Sequence, residues 1–277
     1  MWKQTSLQAM CLLVLQAAGA IAQRTCGNSQ PPPEIVEVAE SFAANSASRL
    51  MATTIEVNTY IHLVTTSAEA NLYTDKMLND QITAMNAAFN PYDISFKLIS
   101  IDKTVNTAWA NDQNELAMKR ALRKGTYADL NLYFQTYLQE DNLGYCYYPV
   151  RSPGSATSTT TVTDGCSVVA STIPDGGFTN YELGGTAVHE VGHWFGLAHV
   201  FENYSCTGAG DGVADTPIQA NSTRGCPASA DSCPGVAGLD SIHNYMDYSY
   251  DECYEEFTPG QKTRMFNMWD TYRLSYQ

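Results

Sequence analysis

Basic residues are scarce in this chain: 15 Lys plus Arg stand against 29 Asp plus Glu in 277 residues, a formal net charge of −14. Such a polyanion repels phosphate backbones and anionic lipid surfaces, so the sequence predicts neither nucleic-acid nor membrane partners. Long apolar runs are missing after the first two dozen residues, and no later stretch reaches the roughly 20 apolar residues that a bilayer span needs. Internal repeats are missing too. Histidine is rare, with five residues, yet three of them fall between positions 189 and 199.

The apolar run that does exist lies at the N-terminus. Lys3 precedes it, Leu12 to Leu15 form its centre, and Ala20-Ile21-Ala22 has the small-x-small form of a signal peptidase site, so residues 1–22 read as a signal peptide. The stretch from Ala9 to Ala22 is interrupted by Gln16 and is too short to anchor. A secreted, extracellular protein is expected. Of the eight cysteines, Cys11 leaves with the signal, and the other seven enter an oxidising compartment where they tend to pair. The sequons at Asn203 and Asn221 are candidate glycosylation sites on surface loops.

After the signal come Arg24-Thr25-Cys26-Gly27, three prolines at 31–33 and a polar Ala/Ser-rich stretch to about Ser48. Three prolines stop helix and sheet alike, so 23–50 reads as a prosegment or linker and 51–277 as one folded domain. Within it, Ile55 to Thr65, Ile94 to Ile101 and Leu130 to Tyr137 read as strands, with Gly144 to Tyr148 and Cys166 to Ser171 as edge strands. Leu78, Ile82, Met85 and Phe89 recur at helical spacing, which predicts a helix over Thr74 to Asn90; Asn111 to Lys124 reads as a second helix. Gly185 to about Gly196 should be a third, and Thr258 to about Tyr272 a closing one opened at Thr258-Pro259. Cys206 to Ser241, rich in Gly, Pro, Asp and Cys, needs crosslinks or ions to stay ordered. The expected class is α/β (α+β): a twisted mixed sheet with two packed helices in the N-terminal half, and an irregular disulfide-rich C-terminal half ending in a helix.

The chemistry is carried by His189-Glu190-Val191-Gly192-His193-Trp194-Phe195-Gly196-Leu197-Ala198-His199. His189 and His193, four residues apart on a helix, project from one face and can converge on a metal. Gly196 can take positive φ, turning the chain so that His199 comes round as the third ligand. Three neutral imidazoles leave the fourth position of one Zn2+ for water, the arrangement of a catalytic site. Glu190 beside that water is a general base and then acid for peptide-bond hydrolysis. A protein that merely binds through zinc has no need of such a carboxylate. His62 and His243 read as hydrogen-bonding residues.

The extended motif H-E-x-x-H-x-x-G-x-x-H resembles the metzincin clan of zinc peptidases, and Asn244-Tyr245-Met246-Asp247-Tyr248 stands where that clan has a methionine turn. The resemblance implies that Met246 packs under the three histidines and that Tyr248 reaches the metal or the developing oxyanion. Within the clan the chain resembles the pappalysin family, in its compact secreted microbial and fungal members. The likeness covers Gly185 to Gln261, including the Gly210 to Pro217 run and Phe257-Thr258-Pro259-Gly260-Gln261.

This resemblance implies pairs Cys206–Cys233 and Cys226–Cys253, although four cysteines alone admit three connectivities. Cys146 and Cys166 are then left to each other. It also implies a structural Ca2+ near Asp211, Asp215 and Thr216, where hard oxygens gather in a Gly-containing turn. Cys26 is left over, and Arg24 to Gly27 looks like a latency switch whose thiolate takes the open zinc position. Asp247, Asp251 and Glu252 follow the methionine turn; a carboxylate in the adjoining pocket would favour basic residues after the cut. Protein or peptide substrates are the expected partners.

Overall fold

The computed structural model describes residues 25–28, 30–44 and 53–277, so the expected signal peptide lies outside the described residues. Twelve regular elements follow: α1 (Pro33–Ala44), β1 (Ile55–Thr65), α2 (Asp75–Phe89), β2 (Ile94–Val105), α3 (Thr107–Ala110), α4 (Glu115–Leu122), β3 (Leu130–Gln135), β4 (Gly144–Cys146), α5 (Thr159–Thr163), β5 (Cys166–Val169), α6 (Gly185–Trp194) and α7 (Pro259–Tyr272). Among the described residues the strands form one mixed sheet, ordered β2-β1-β3-β5-β4. The first four strands in that order run parallel, while β4 pairs antiparallel with β5 through Gly144–Val168 and Cys146–Cys166 and stands at the edge.

Both faces of the sheet are covered, which explains why Ile61 to Thr65 are buried without alternation. On one face α2 and α6 close the main core, with Leu78, Met85 and Phe89 of α2 and Val188, Val191 and Trp194 of α6 among its members. On the other, Met118 of α4 packs with Val64, Ala110 and Tyr133. Below the sheet the chain is mostly irregular. Disulfides Cys206–Cys233 and Cys226–Cys253 cross-link it, and Cys146–Cys166 ties β4 to β5.

Helix α7 begins where the sequence places it. Thr258 caps it: its hydroxyl accepts from Gln261 N at 3.1 Å, while Gln261 Oε1 accepts from Thr258 N at 2.8 Å. Two expectations change. The 33–44 stretch is helical, because Pro33 occupies the first helical turn, where no N–H is needed and its fixed φ suits the helix. Ile35 and Val38 of α1 pack on Tyr148, Met268 and Tyr272. The helix expected over 111–124 is instead shortened to α4, since Asp112 and Asn114 adopt left-handed conformations at its expected start, and the short α3 precedes it.

Candidate active site

Helix α6 is buried along its whole length, and both its ends are held by side chains distant in sequence. Its N-cap is Gly184, which has no side chain to offer. Asp251 substitutes: its Oδ2 accepts from Leu183 N at 2.9 Å and Gly185 N at 3.1 Å. A carboxylate there also complements the helix dipole. At the other end Trp194 Nε1 donates to Asp164 Oδ2, and the Arg273 guanidinium, paired with Asp164 at 3.0 Å, lies 3.5 Å from the Trp194 ring centroid.

The helix stops at Gly196, whose φ of +85° is costly for any side chain and whose notional Cβ would lie 2.7 Å from Met268 Cγ. The reversal returns His199 to the face carrying His189 and His193. The Nε2 atom of His193 lies 3.2 Å from that of His189 and 3.1 Å from that of His199. A tetrahedral ion with nitrogen ligands at about 2.0–2.1 Å sets such atoms about 3.3 Å apart, so the trio matches zinc. The ring orientations agree, because His189 Nδ1 donates to Tyr245 O and His193 Nδ1 to Leu197 O, both at 2.8 Å. Those bonds place the proton on Nδ1 and aim the bare Nε2 lone pairs at one point. Burial also drives the His193 pKa down to about 4 and that of His199 well below its usual value, which keeps the imidazoles neutral. Glu202, pushed up by burial, is 3.9 Å from His199 Nδ1.

Met246 is fully buried against Gly192 of α6. A Cβ at Gly192 would fall 2.3 Å from its sulfur, so the glycine inside the histidine motif is what admits the methionine. The Met246 turn is fixed in turn by Asn244, whose carboxamide exchanges two hydrogen bonds with Gln261 at the start of α7. Tyr248 is buried with its hydroxyl 3.3 Å from His199 Nε2. Burial raises its pKa, so the phenol stays protonated.

Glu190 is 1% exposed and rests against Gly144 of β4, where a Cβ would meet its Cγ at 2.5 Å and its Oε1 at 2.6 Å. Its Oε2 lies 3.3 Å from the sulfur of Cys26. Among the described residues, the His, Cys, Asp or Glu group able to share a metal ion is Cys26 with His189, His193 and His199, their ligand atoms all within 4.8 Å of one another. The leading segment reaches this point by lying along β4: Leu143 N donates to Thr25 O and Gly27 N to Gly144 O, each at 2.8 Å. Cys26 N also donates to the Tyr248 hydroxyl at 3.1 Å.

Other candidates are distributed differently. Asp211 Oδ1 accepts from Thr216 Oγ1 at 2.6 Å, but Asp215 is turned away, with Oδ1 accepting from Thr258 Oγ1 and Oδ2 from Gly260 N at the start of α7. Asp247 is buried and accepts from Gln219, Thr223 and Tyr248, so it braces the loop below the site. Of the three acidic residues after the methionine turn, Glu252 is the exposed one. Asn203 and Asn221 are exposed. His62 sits between Asp102 and Asn131, and His243 Nδ1 donates to Cys253 O, as hydrogen-bonding histidines do.

Sequence reading missed the roles of Gly144 and Tyr148, and placed Asp251 by the specificity pocket where it instead caps α6. The Tyr148 hydroxyl lies 3.1 Å from His193 Nδ1. None of the three belongs to a local pattern, and each acts through a neighbour far along the chain.

Comparison with known proteins gives a consistent answer. The Peptidase M43 family model, described as pregnancy-associated plasma protein-A, matches residues 120–270. An extracellular metalloprotease of Verticillium alfalfae is 53% identical over 90% of this chain and 89% of its own length. One from Colletotrichum graminicola is 47% identical over 98% and 99%. Among solved structures, a promirolysin mutant from Tannerella forsythia superposes with TM-score 0.71 at 26% identity over 90% of this chain and 94% of that one. Mature mirolysin in complex with a cleaved peptide matches with TM-score 0.65 at 27% identity, over 80% and 97%. Family model, relatives and fold agree: this chain belongs to the pappalysin family of metalloproteases, peptidases that share the metzincin-like fold.

Proposed function

We propose that this chain is the latent precursor of a secreted zinc endopeptidase in which His189, His193 and His199 hold the metal and Glu190 moves the proton. The observation that carries the reading is the convergence of three Nε2 atoms at 3.1–3.2 Å beside a buried carboxylate. When bound, zinc supplies a Lewis acid that polarises the scissile carbonyl and acidifies the attacking water. Glu190 accepts the proton of that water and returns it to the leaving amine; the absence of a β-carbon at Gly144 leaves the carboxylate room to sit where both transfers occur. Tyr248, kept protonated by burial, donates to the oxyanion as it develops. A substrate backbone takes the outward groups of β4 that Thr25 and Gly27 occupy in the precursor. A peptide bound by mirolysin in its solved complex supports peptides as the substrate class.

Latency follows from Cys26, whose sulfur stands in the ligand group and beside Glu190, so the nucleophile's position is filled until residues 23–50 are removed. Calcium, implied for the 210–217 turn, would be held by Asp211 and Thr216 with backbone carbonyls, because Asp215 is engaged with α7. Preference for Arg or Lys after the cut rests on Glu252, since Asp247 and Asp251 are committed to backbone amides.

The decisive experiment is casein hydrolysis by the processed enzyme. Wild type should cleave, and Glu190→Ala should lose activity while keeping one zinc per chain; an active Glu190→Ala enzyme removes the mechanism. A peptide library read on the same preparations should show basic residues following the cut, a bias that Glu252→Gln lowers. An unchanged bias in Glu252→Gln refutes the specificity assignment.

A further inference from the structure

Strand β4 is the edge of the sheet, and an edge presents backbone groups that must find partners. The leading segment supplies them in register: Thr25 O takes Leu143 N, and Gly27 N serves Gly144 O. The next outward groups are the N–H and the carbonyl of Cys146. Among the described residues, no backbone group of the leading segment is seen to meet them. They are met by the side chain of Asn28, whose Oδ1 accepts from Cys146 N at 2.7 Å and whose Nδ2 donates to Cys146 O at 2.6 Å. The orientation of the carboxamide is fixed by its partner, because an N–H can face only the oxygen and a carbonyl only the nitrogen. A side chain is standing in for a peptide group of the added strand.

The same residue touches the sulfur. Asn28 N donates to Cys26 Sγ at 3.4 Å, and Oδ1 lies 3.3 Å from it. Cys26 is therefore held from both sides, by its own amide on Tyr248 and by Asn28 clasped to Cys146. Cys146 is itself immobilised by its disulfide to Cys166 on β5. Further along, Gln30 Nε2 donates to Asn203 Oδ1 at 2.9 Å.

We propose that Asn28 is a positioning residue for latency: its carboxamide locks the leading segment to the β4 edge and so holds the Cys26 sulfur at the metal position. The proposal rests on the reading of Cys26 as the latent-form ligand. A carboxamide is required because it alone carries a donor and an acceptor on one short planar group. Asn28→Asp keeps the size but sets an acceptor against Cys146 O, and Asn28→Ala removes both bonds.

The test uses full-length precursors carrying Glu190→Gln, so that none processes itself. Each is prepared with zinc for iodoacetamide alkylation of Cys26 and with cobalt(II) for sulfur-to-cobalt charge-transfer absorption. With Asn28 intact the band should be present and alkylation slow. In Asn28→Ala and Asn28→Asp the band should weaken and alkylation accelerate about tenfold or more, the scale set by losing two hydrogen bonds. Variants that keep both the band and the slow alkylation overturn the clasp. Absence of the band with Asn28 intact and its persistence in Cys26→Ser each refute Cys26 as the ligand, and the alkylation rates then report on the clasp separately.

Discussion

At the scale of single residues, the site depends on two glycines as much as on its histidines. Gly192 makes room for the Met246 sulfur, and Gly144 lies against Glu190 so closely that any β-carbon must push the carboxylate aside. Gly144→Ala in the processed enzyme should therefore lower kcat by about 10²–10⁴, the span that a positioned acid–base group contributes. Zinc content should stay at one per chain, because the atoms that a β-carbon there would meet first belong to Glu190 and not to the histidines. A peptide assay paired with metal analysis checks both halves, and an alanine variant with undiminished kcat would show that Glu190 is held by something else. The histidines and Glu190 were legible because their geometry is set within one helix and one turn, where sequence spacing is spatial spacing. Gly144, Asp251 and Tyr148 were not, since what each does is decided by a residue brought near only by the finished fold.

At the scale of elements, the parts written in local periodicity were the readable ones. β1 and α2 lie where alternation and helical spacing put them, and Thr74 and Thr258 sit at the helix starts as caps. Helix α1 was hidden because a proline run reads as a breaker, although its last proline can open a helix. The late start of α4 was hidden because Asp112 and Asn114 show their positive φ only in the folded chain. The loop between Cys206 and Ser241 shows what replaces secondary structure: two disulfides, the buried hub at Asp247, and the turn closed by Asp211. Burial pushes the Asp211 carboxyl from an ordinary 3.8 up to about 6. Between those pH values the folded chain keeps a proton that the unfolded chain gives up, so this group favours folding in acid, and the benefit declines as pH rises through the window. The difference in stability between wild type and Asp211→Asn should shift against wild type by on the order of 3 kcal/mol from pH 4 to 6.5 and then level off. Paired melting curves measure it, and loss of metal in acid cancels because both proteins share the site. Calcium bound at Asp211 would hold the carboxylate ionised and flatten the slope, which makes the same curves a test of that ligand.

At the scale of the whole molecule, the described part of the leading segment belongs to the fold and is not a tether hung from it. It extends the sheet at β4, sets the Cys26 sulfur within 4.8 Å of the three imidazoles, and continues into α1, which covers Tyr148, Met268 and Tyr272. Tyr148 joins these roles, since one side of it packs on α1 while its hydroxyl reaches His193. Removing the segment therefore both opens the cleft and strips a covered apolar patch. Ile35 and Val38 are 1% and 9% exposed, and burying two such side chains is worth about 3–6 kcal/mol before the entropy of ordering α1 is set against it. If about 2–3 kcal/mol survives, a zinc-loaded form beginning at residue 53 should melt about 5–10 °C below the Glu190→Gln precursor. An Ile35→Ala precursor leaves the catalytic part intact and should melt between the two. Calorimetry on the three proteins decides the matter: equal melting temperatures would mean that α1 merely rests on α7, and that release of the cleft is governed by the Cys26 contacts alone.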